Sequence, residues 1–151
     1  MMINTKQVIA FGCWIMLTAL QSCSSRESDN ADVRFAKTTF FSMVNGSAAA
    51  ETMIDWETFQ AMGDDLGKDY RALPNDAEKV AARKSFLMGF AASTPNIKAN
   101  PGGITHWRVK SESASETIVA ADMQLGAVLL ITVSKRDGTQ KISSIEINDK
   151  R

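Results

Sequence analysis

The spacing of apolar residues changes twice along this chain. Residues 8–20 (VIAFGCWIMLTAL) form an unbroken apolar run without charge. It falls short of the roughly 20 residues a helix needs to cross a hydrocarbon core. From residue 30 onward apolar positions recur every three or four residues, the helical period. Asn30 is placed to cap a helix through residue 45, with Val33, Phe40, Met43 and Val44 on one face and Arg34 and Lys37 elsewhere. Asn45-Gly46 supplies its stop, because glycine takes positive φ without a Cβ penalty. Ser47 caps a shorter helix over residues 48–56, with Met53, Ile54 and Trp56 as its apolar residues. Residues 56–62 read as a separate turn and residues 63–73, polar with two glycines, as a loop. Asn75-x-x-Glu78 is a capping box that opens the clearest helix. Val80, Leu87 and Phe90 with Ala81, Phe86 and Ala91 form its core stripe, which ends before Thr94-Pro95. Residues 96–103 read as a loop.

After that loop the period falls to two. Thr105, Trp107 and Val109 alternate with His106, Arg108 and Lys110, so the second set faces solvent. A second strand covers about residues 116–124, with Val119, Ala121 and Met123 aligned. Residues 128–134 (VLLITVS) are apolar in both phases over their first half, as in a central strand. Asp137-Gly138 then signals a two-residue hairpin, whose central positions both need positive φ. In the last strand, residues 139–148, Ile142 falls out of phase with Ile145 and Ile147, and a bulge near Ser143-Ser144 restores the alternation. The expected architecture is α+β: N-terminal helices packed on a curved antiparallel four-stranded sheet. Leu87, Phe90, Trp107, Leu130 and Ile145 are its expected core.

Charge and cysteine alter the picture at the N-terminus. Lys6 precedes the apolar run, and Leu20-Gln21-Ser22-Cys23 closes it. The whole segment resembles a bacterial lipoprotein signal with its lipobox. That resemblance implies a signal peptide over residues 1–22, acylation of Cys23, and a flexible tether over residues 23–30. One domain, residues 31–151, follows. Ser24 is not the Asp associated with inner-membrane retention, so an outer membrane facing the periplasm is favoured. The lipid bilayer is then the first partner. Cys13 leaves with the leader and Cys23 carries lipid, so burial alone must hold the domain together. The 17 basic and 17 acidic residues balance, which gives no electrostatic reason to expect nucleic acid.

A helix ending in Asn45-Gly46, a short helix ending Ile54-Asp55-Trp56, and a terminal hairpin reading Lys135-Arg136-Asp137-Gly138-Thr139-Gln140-Lys141-Ile142 together resemble the nuclear transport factor two-like superfamily. Gln140 stands where that family typically carries Trp. The resemblance spans about residues 32–147 and implies a cone, in which a bent sheet wraps a long helix and leaves a pocket at its open end. It implies a shape rather than a reaction, since enzymes and binding modules both use it.

Little in the sequence could carry chemistry. His106 is the only histidine, and Asp55, which the resemblance sets in the general region of pocket residues, is a candidate carboxylate partner. His106 reads as a surface residue. Asp64, Asp65 and Asp69 lack the ligand spacing of a calcium loop, and Ser42 and Ser85 lie in no nucleophile elbow. No cofactor is expected, and no metal. Asp55, Trp56, Tyr70, Phe90 and Trp107 are the candidate pocket residues. The expected function is a non-catalytic binding or interaction domain in the cell envelope, taking a small apolar ligand or an envelope protein. Two alternatives stand beside it: a cone-fold isomerase or dehydratase acting on a small apolar substrate, and a structural or assembly factor of the envelope.

Overall fold

The structure, a computed structural model, describes residues 30–149. The leader, Cys23 and the tether up to residue 29 lie outside the described residues. Helix α1 (Ala31–Val44) begins where expected: the Asn30 side chain accepts from the Asp32 and Val33 amides. It ends at Asn45-Gly46, with Gly46 at φ +64°. Its stripe is buried almost completely: Val33, Ala36, Phe40, Met43 and Val44 are each at most 1% exposed. A short helix α2 (Ala50–Met53) follows, and Ser47 accepts from the Ala49 amide just before it. This helix stops three residues earlier than the sequence pattern suggests. Ile54 instead makes a parallel bridge to Ile142, which pulls the chain out as extended backbone.

The next segment departs most from expectation. Strands β1 (Gln60–Ala61) and β2 (Asp64–Asp65) form a hairpin, and helix α3 (Leu66–Arg71) follows. The turn between the strands places Met62 at φ +53° and Gly63 at +92°. Met is not the residue such a turn favours, and two-residue strands are too short to show a period. Helix α4 (Asp76–Ser93) is capped by Asn75, which accepts from the Glu78 amide and donates to the Glu78 carboxylate. Helix α5 (Pro95–Ala99) and a 3-10 turn at Pro101–Gly103 occupy the expected loop.

Strands β3 (Thr105–Glu112), β4 (Glu116–Asp122), β5 (Ala127–Arg136) and β6 (Thr139–Asp149) make the expected antiparallel meander. The sheet is larger than four strands, however. β1 pairs in parallel with β6, giving six mixed strands in the order β2-β1-β6-β5-β4-β3. Asp137 (φ +50°) and Gly138 (φ +73°) turn β5 into β6. The register shifts between Thr132↔Ser144 and Val133↔Ile142, so Ser143 is the extra residue. That bulge puts Ile142 and Ile145 on one face, both fully buried.

Helix α1 contacts β3, β4, β5 and β6, and α4 packs on α1. The core lies between them, built on Leu129, Ile131, Val133, Val119, Ala121, Ile142 and Ile145. Leu87, Phe90, Trp107 and Ile145 belong to it as expected. Leu130 does not: it faces away from the helices, only partly covered. A strand apolar in both phases carries no alternation from which its inner face can be read.

Candidate functional site

Three of the five candidate pocket residues come together. The segment after α2 is pinned to β6, where the Asp55 amide donates to the Ile142 carbonyl at 2.9 Å. That contact sets Asp55 and Trp56 beside the β5–β6 hairpin. Tyr70 arrives from α3, whose Gly67 amide donates to the Phe59 carbonyl at 2.8 Å. A Cβ at Gly67 would lie 2.7 Å from the Glu57 carbonyl oxygen, so only glycine lets α3 approach this closely. Trp56 and Tyr70 then pair at 6.1 Å between ring centroids, and Phe86 of α4 meets Trp56 edge-on at 5.7 Å.

These rings are held by polar contacts at their margins. The Trp56 indole donates to the Glu51 carbonyl at 2.8 Å. Arg83 donates to Glu51 Oε1 at 2.7 Å and to the Tyr70 hydroxyl at 2.6 Å. The bond to Glu51 is the main cause that raises the Arg83 pKa, against its partial burial, so the guanidinium is a fixed charge. Lys79 lies 5.1 Å from the Tyr70 ring centroid and 3.7 Å from Glu57.

Trp56 and Tyr70 form a common wall between two hollows. One is a mostly apolar slot of about 170 Å³, completed by Leu66, Leu73, Ala82 and Phe86, with Asp69 also on its lining. The other is a polar groove of about 410 Å³, where Asp55 and Glu57 face Arg136 and Lys141 of the hairpin. Asp55 lies 3.6 Å from Arg136, and Lys141 donates to the Thr52 carbonyl at 2.9 Å.

The other candidates lie elsewhere. Phe90 is a core residue, 6.0 Å from the Phe40 ring and 5.9 Å from Phe86. Trp107 is 2% exposed and packs on Phe40 and Phe41. It borders a different hollow, next to His106. His106 is exposed as expected, and its Nδ1 lies 3.3 Å from Asp122, not near Asp55. The expected acid/base candidates therefore do not assemble. Among the described residues, no group of three or more His, Cys, Asp or Glu side chains could hold a metal ion.

One polar cluster escaped the sequence reading. Asp32, 4% exposed, sits in the first turn of α1 over the inner face of the sheet. Its carboxylate accepts from Thr117 at 2.6 Å, from Lys135 at 2.7 Å, and from the Gln140 amide. Burial alone would raise its pKa, but the bonds from Lys135, Thr117 and Gln140 outweigh burial and hold it below the ordinary 3.8. Lys135 is raised in turn, first by Asp32 and then by Glu112, 3.1 Å away. The signal was present: Asp32, Ala36, Thr39 and Met43 form a buried stripe at helical spacing.

Comparison of the chain with protein-family models, with curated proteins and with solved structures gives no match. Functional inference therefore rests on the site.

Proposed function

We propose that this chain is a lipid-anchored bacterial envelope protein whose domain is a non-catalytic interaction module. It seats one apolar side chain of an envelope protein in the Trp56–Tyr70–Phe86 slot. The size of the slot carries this reading. Sites for small molecules usually measure about 300–1,000 Å³ and enclose most of the ligand. An apolar space of about 150 Å³ takes one benzene-sized group. At about 170 Å³ the slot fits a single Leu, Met or Phe side chain better than a metabolite. The adjoining groove, with charges of both signs, suits the polar backbone on either side of such an anchor.

The rest of the reading comes from sequence. The lipobox-like Leu20-Gln21-Ser22-Cys23 supports acylation at Cys23, and Ser24 supports the outer membrane facing the periplasm. The cone resemblance is supported by α1 lying along a sheet bulged at Ser143 and by the terminal Asp137-Gly138 hairpin. The isomerase or dehydratase alternative needs an acid and a base within reach of one substrate. Asp55 faces Arg136 and His106 faces Asp122, which leaves that alternative without its pair.

A photo-cross-linking residue at Leu73 of the full chain, in the cells that make it, tests the slot. We expect one discrete adduct with a membrane-associated protein, lost in Phe86→Ala although that variant still folds. An adduct unaffected by Phe86→Ala, or none at all, overturns the slot as the docking point. Mass spectrometry of the mature N-terminus tests the anchor separately, and an unacylated Cys23 sinks it.

A further inference from the structure

We propose that the face of the sheet turned away from the helices pairs with the same face of a second copy of this chain, about a two-fold axis parallel to the strands. The register of the sheet carries the inference. Residues directly opposite one another across a ladder share a face. Arg108 pairs with Ala120, Ala120 with Leu130, and Leu130 with Glu146. These four form one row across β3, β4, β5 and β6, with a cation at one end, a carboxylate at the other and apolar residues between. Lys110 stands near Arg108 on this face, and Val128 near Leu130. The opposite face, with Trp107, Val119, Leu129 and Ile145, is buried under the helices.

A two-fold axis along the strands, set between Ala120 and Leu130, reverses the row. It brings Arg108 of one copy over Glu146 of the other, and Leu130 over Ala120. The face is then complementary to itself in both charge and size. A hollow of about 270 Å³ lies over Ala120, bounded by Arg108, Lys110, Val128 and Leu130, and it admits Leu130 of the second copy. Arg108 is shared with Asp122 at 3.1 Å, but Lys110 and Glu146 make no ion pair among the described residues. Lys110, farther along β3 than Arg108, is the free cation for the second copy's Glu146. An axis across the strands would instead stack Arg108 on Arg108 and Glu146 on Glu146.

The start of the domain selects the same axis. Asn30, the first described residue, caps α1, and Asp32 beside it bonds Thr117, Lys135 and Gln140 at the hairpin end of the sheet. Rotation about an axis parallel to the strands keeps that end on one side in both copies, so two lipid anchors enter one bilayer. This step rests on the anchor proposed above; the pairing of the faces does not. Four strands at about 4.8 Å spacing, over the seven residues of β4 at about 3.4 Å each, give a footprint of roughly 450 Å² per copy. That is the size of a weak contact, and confinement of anchored copies to one membrane strengthens it.

Zero-length carbodiimide coupling tests the contact, on the full mature chain in phosphatidylcholine vesicles, with equal parts of isotope-labelled and unlabelled protein. Lys110 and Glu146 of one chain lie three strand spacings apart, about 14 Å, farther than the two side chains reach together. We expect a Lys110–Glu146 peptide that joins labelled to unlabelled chains. Leu130→Asp sets two carboxylates beside the axis and should cut its yield about tenfold, with the far-UV spectrum unchanged, since Leu130 is outside the core. The double variant Lys110→Glu, Glu146→Lys exchanges the charges and should couple the same two positions at the wild-type yield. It leaves the centre of the face untouched and decides the matter if Leu130→Asp folds poorly. Absence of the mixed-label peptide overturns the proposal. So does a yield unaffected by a folded Leu130→Asp, or loss of coupling in the double variant. An unacylated mature N-terminus defeats the anchor alone: the same peptide must then form in solution at high protein concentration, or the pairing fails as well.

Discussion

Helices α1 and α4 are both capped by an asparagine and both carry an apolar stripe, yet they do different work. Helix α1 buries seven of its 14 residues, Asp32 and Thr39 among them, against four strands. Helix α4 has 18 residues and buries only Leu87 and Phe90. Phe86 and the neighbouring Ala82 are partly covered and line the slot with residues of α3, whereas Ala81 of the expected stripe is exposed. Burial is therefore concentrated on α1, whereas α4 leaves part of its apolar face at the slot. The same period in the sequence gives two depths of burial, because depth depends on what a helix packs against.

Truncation on each helix should separate the two roles. Phe40 is 1% exposed and surrounded by Phe41, Phe90 and Trp107. Phe40→Ala should cost about 3–5 kcal/mol, a large share of the roughly 5–15 kcal/mol available to a domain. Phe86→Ala, only partly covered on α4, should cost less, about 1–2 kcal/mol, because less apolar area leaves water there on folding. Urea midpoints measure both. Equal losses would mean that α4 is as much a core helix as α1, and the slot a packing defect.

Asp32 ties α1 to the hairpin strands and to β4. Asp32→Ala leaves the buried Thr117 hydroxyl without its acceptor and should cost about 1–3 kcal/mol. The fuller penalty of a broken buried pair does not apply, since Lys135 is partly solvated and keeps Glu112. The pH dependence has a definite sign. The folded pKa of Asp32 lies below its ordinary 3.8, so its contribution is present above that value and lost as pH falls through the folded one. Stability measured between about pH 2 and 6 should fall less steeply in Asp32→Asn than in the wild type. An unchanged acid slope would show that the carboxylate is not held by its partners.

The difference between the two helices also explains what the sequence could show. Local signals were legible: the Asn30 and Asn75 caps, the Asn45-Gly46 stop, the Asp137-Gly138 hairpin and the Ser143 bulge each depend on a few neighbouring residues. Long-range pairing was not. β1 exists because Gln60 and Ala61 meet Ser144 and Ile145, more than 80 residues away, and nothing local specifies that. Asp55, Trp56 and Tyr70 were legible as an aromatic and acidic group, but their shared wall depends on Gly67 letting α3 close on Glu57. The buried bonds of Asp32 to Thr117 and Gln140 span a comparable distance along the chain.

Leu130 sharpens the comparison within the sheet. Its neighbour Leu129 is fully buried under the helices, whereas Leu130 shares the outer face with Val128, Arg108 and Lys110. Leu129→Ala should cost about 2–5 kcal/mol and Leu130→Ala under about 1.5 kcal/mol. The reverse order would place the helices on the other side of β5.

The smallest effect is expected at His106, far from the α1 core in energetic terms although β3 packs on that helix. Its side chain is 58% exposed, and its contact with Asp122 is a surface one, so loss of the imidazole should itself cost under about 0.5 kcal/mol. The backbone adds an effect of its own sign. At φ +53° any residue with a Cβ is strained, while glycine is not. In an ordinary strand, glycine is less stable than alanine by roughly 0.5–1 kcal/mol. Here His106→Gly should be at least as stable as His106→Ala, because release of the left-handed strain offsets that entropy cost. Paired urea melts of the two variants decide it. If alanine is the more stable by the ordinary margin, β3 runs through His106 without the register shift between Thr105 and Arg108.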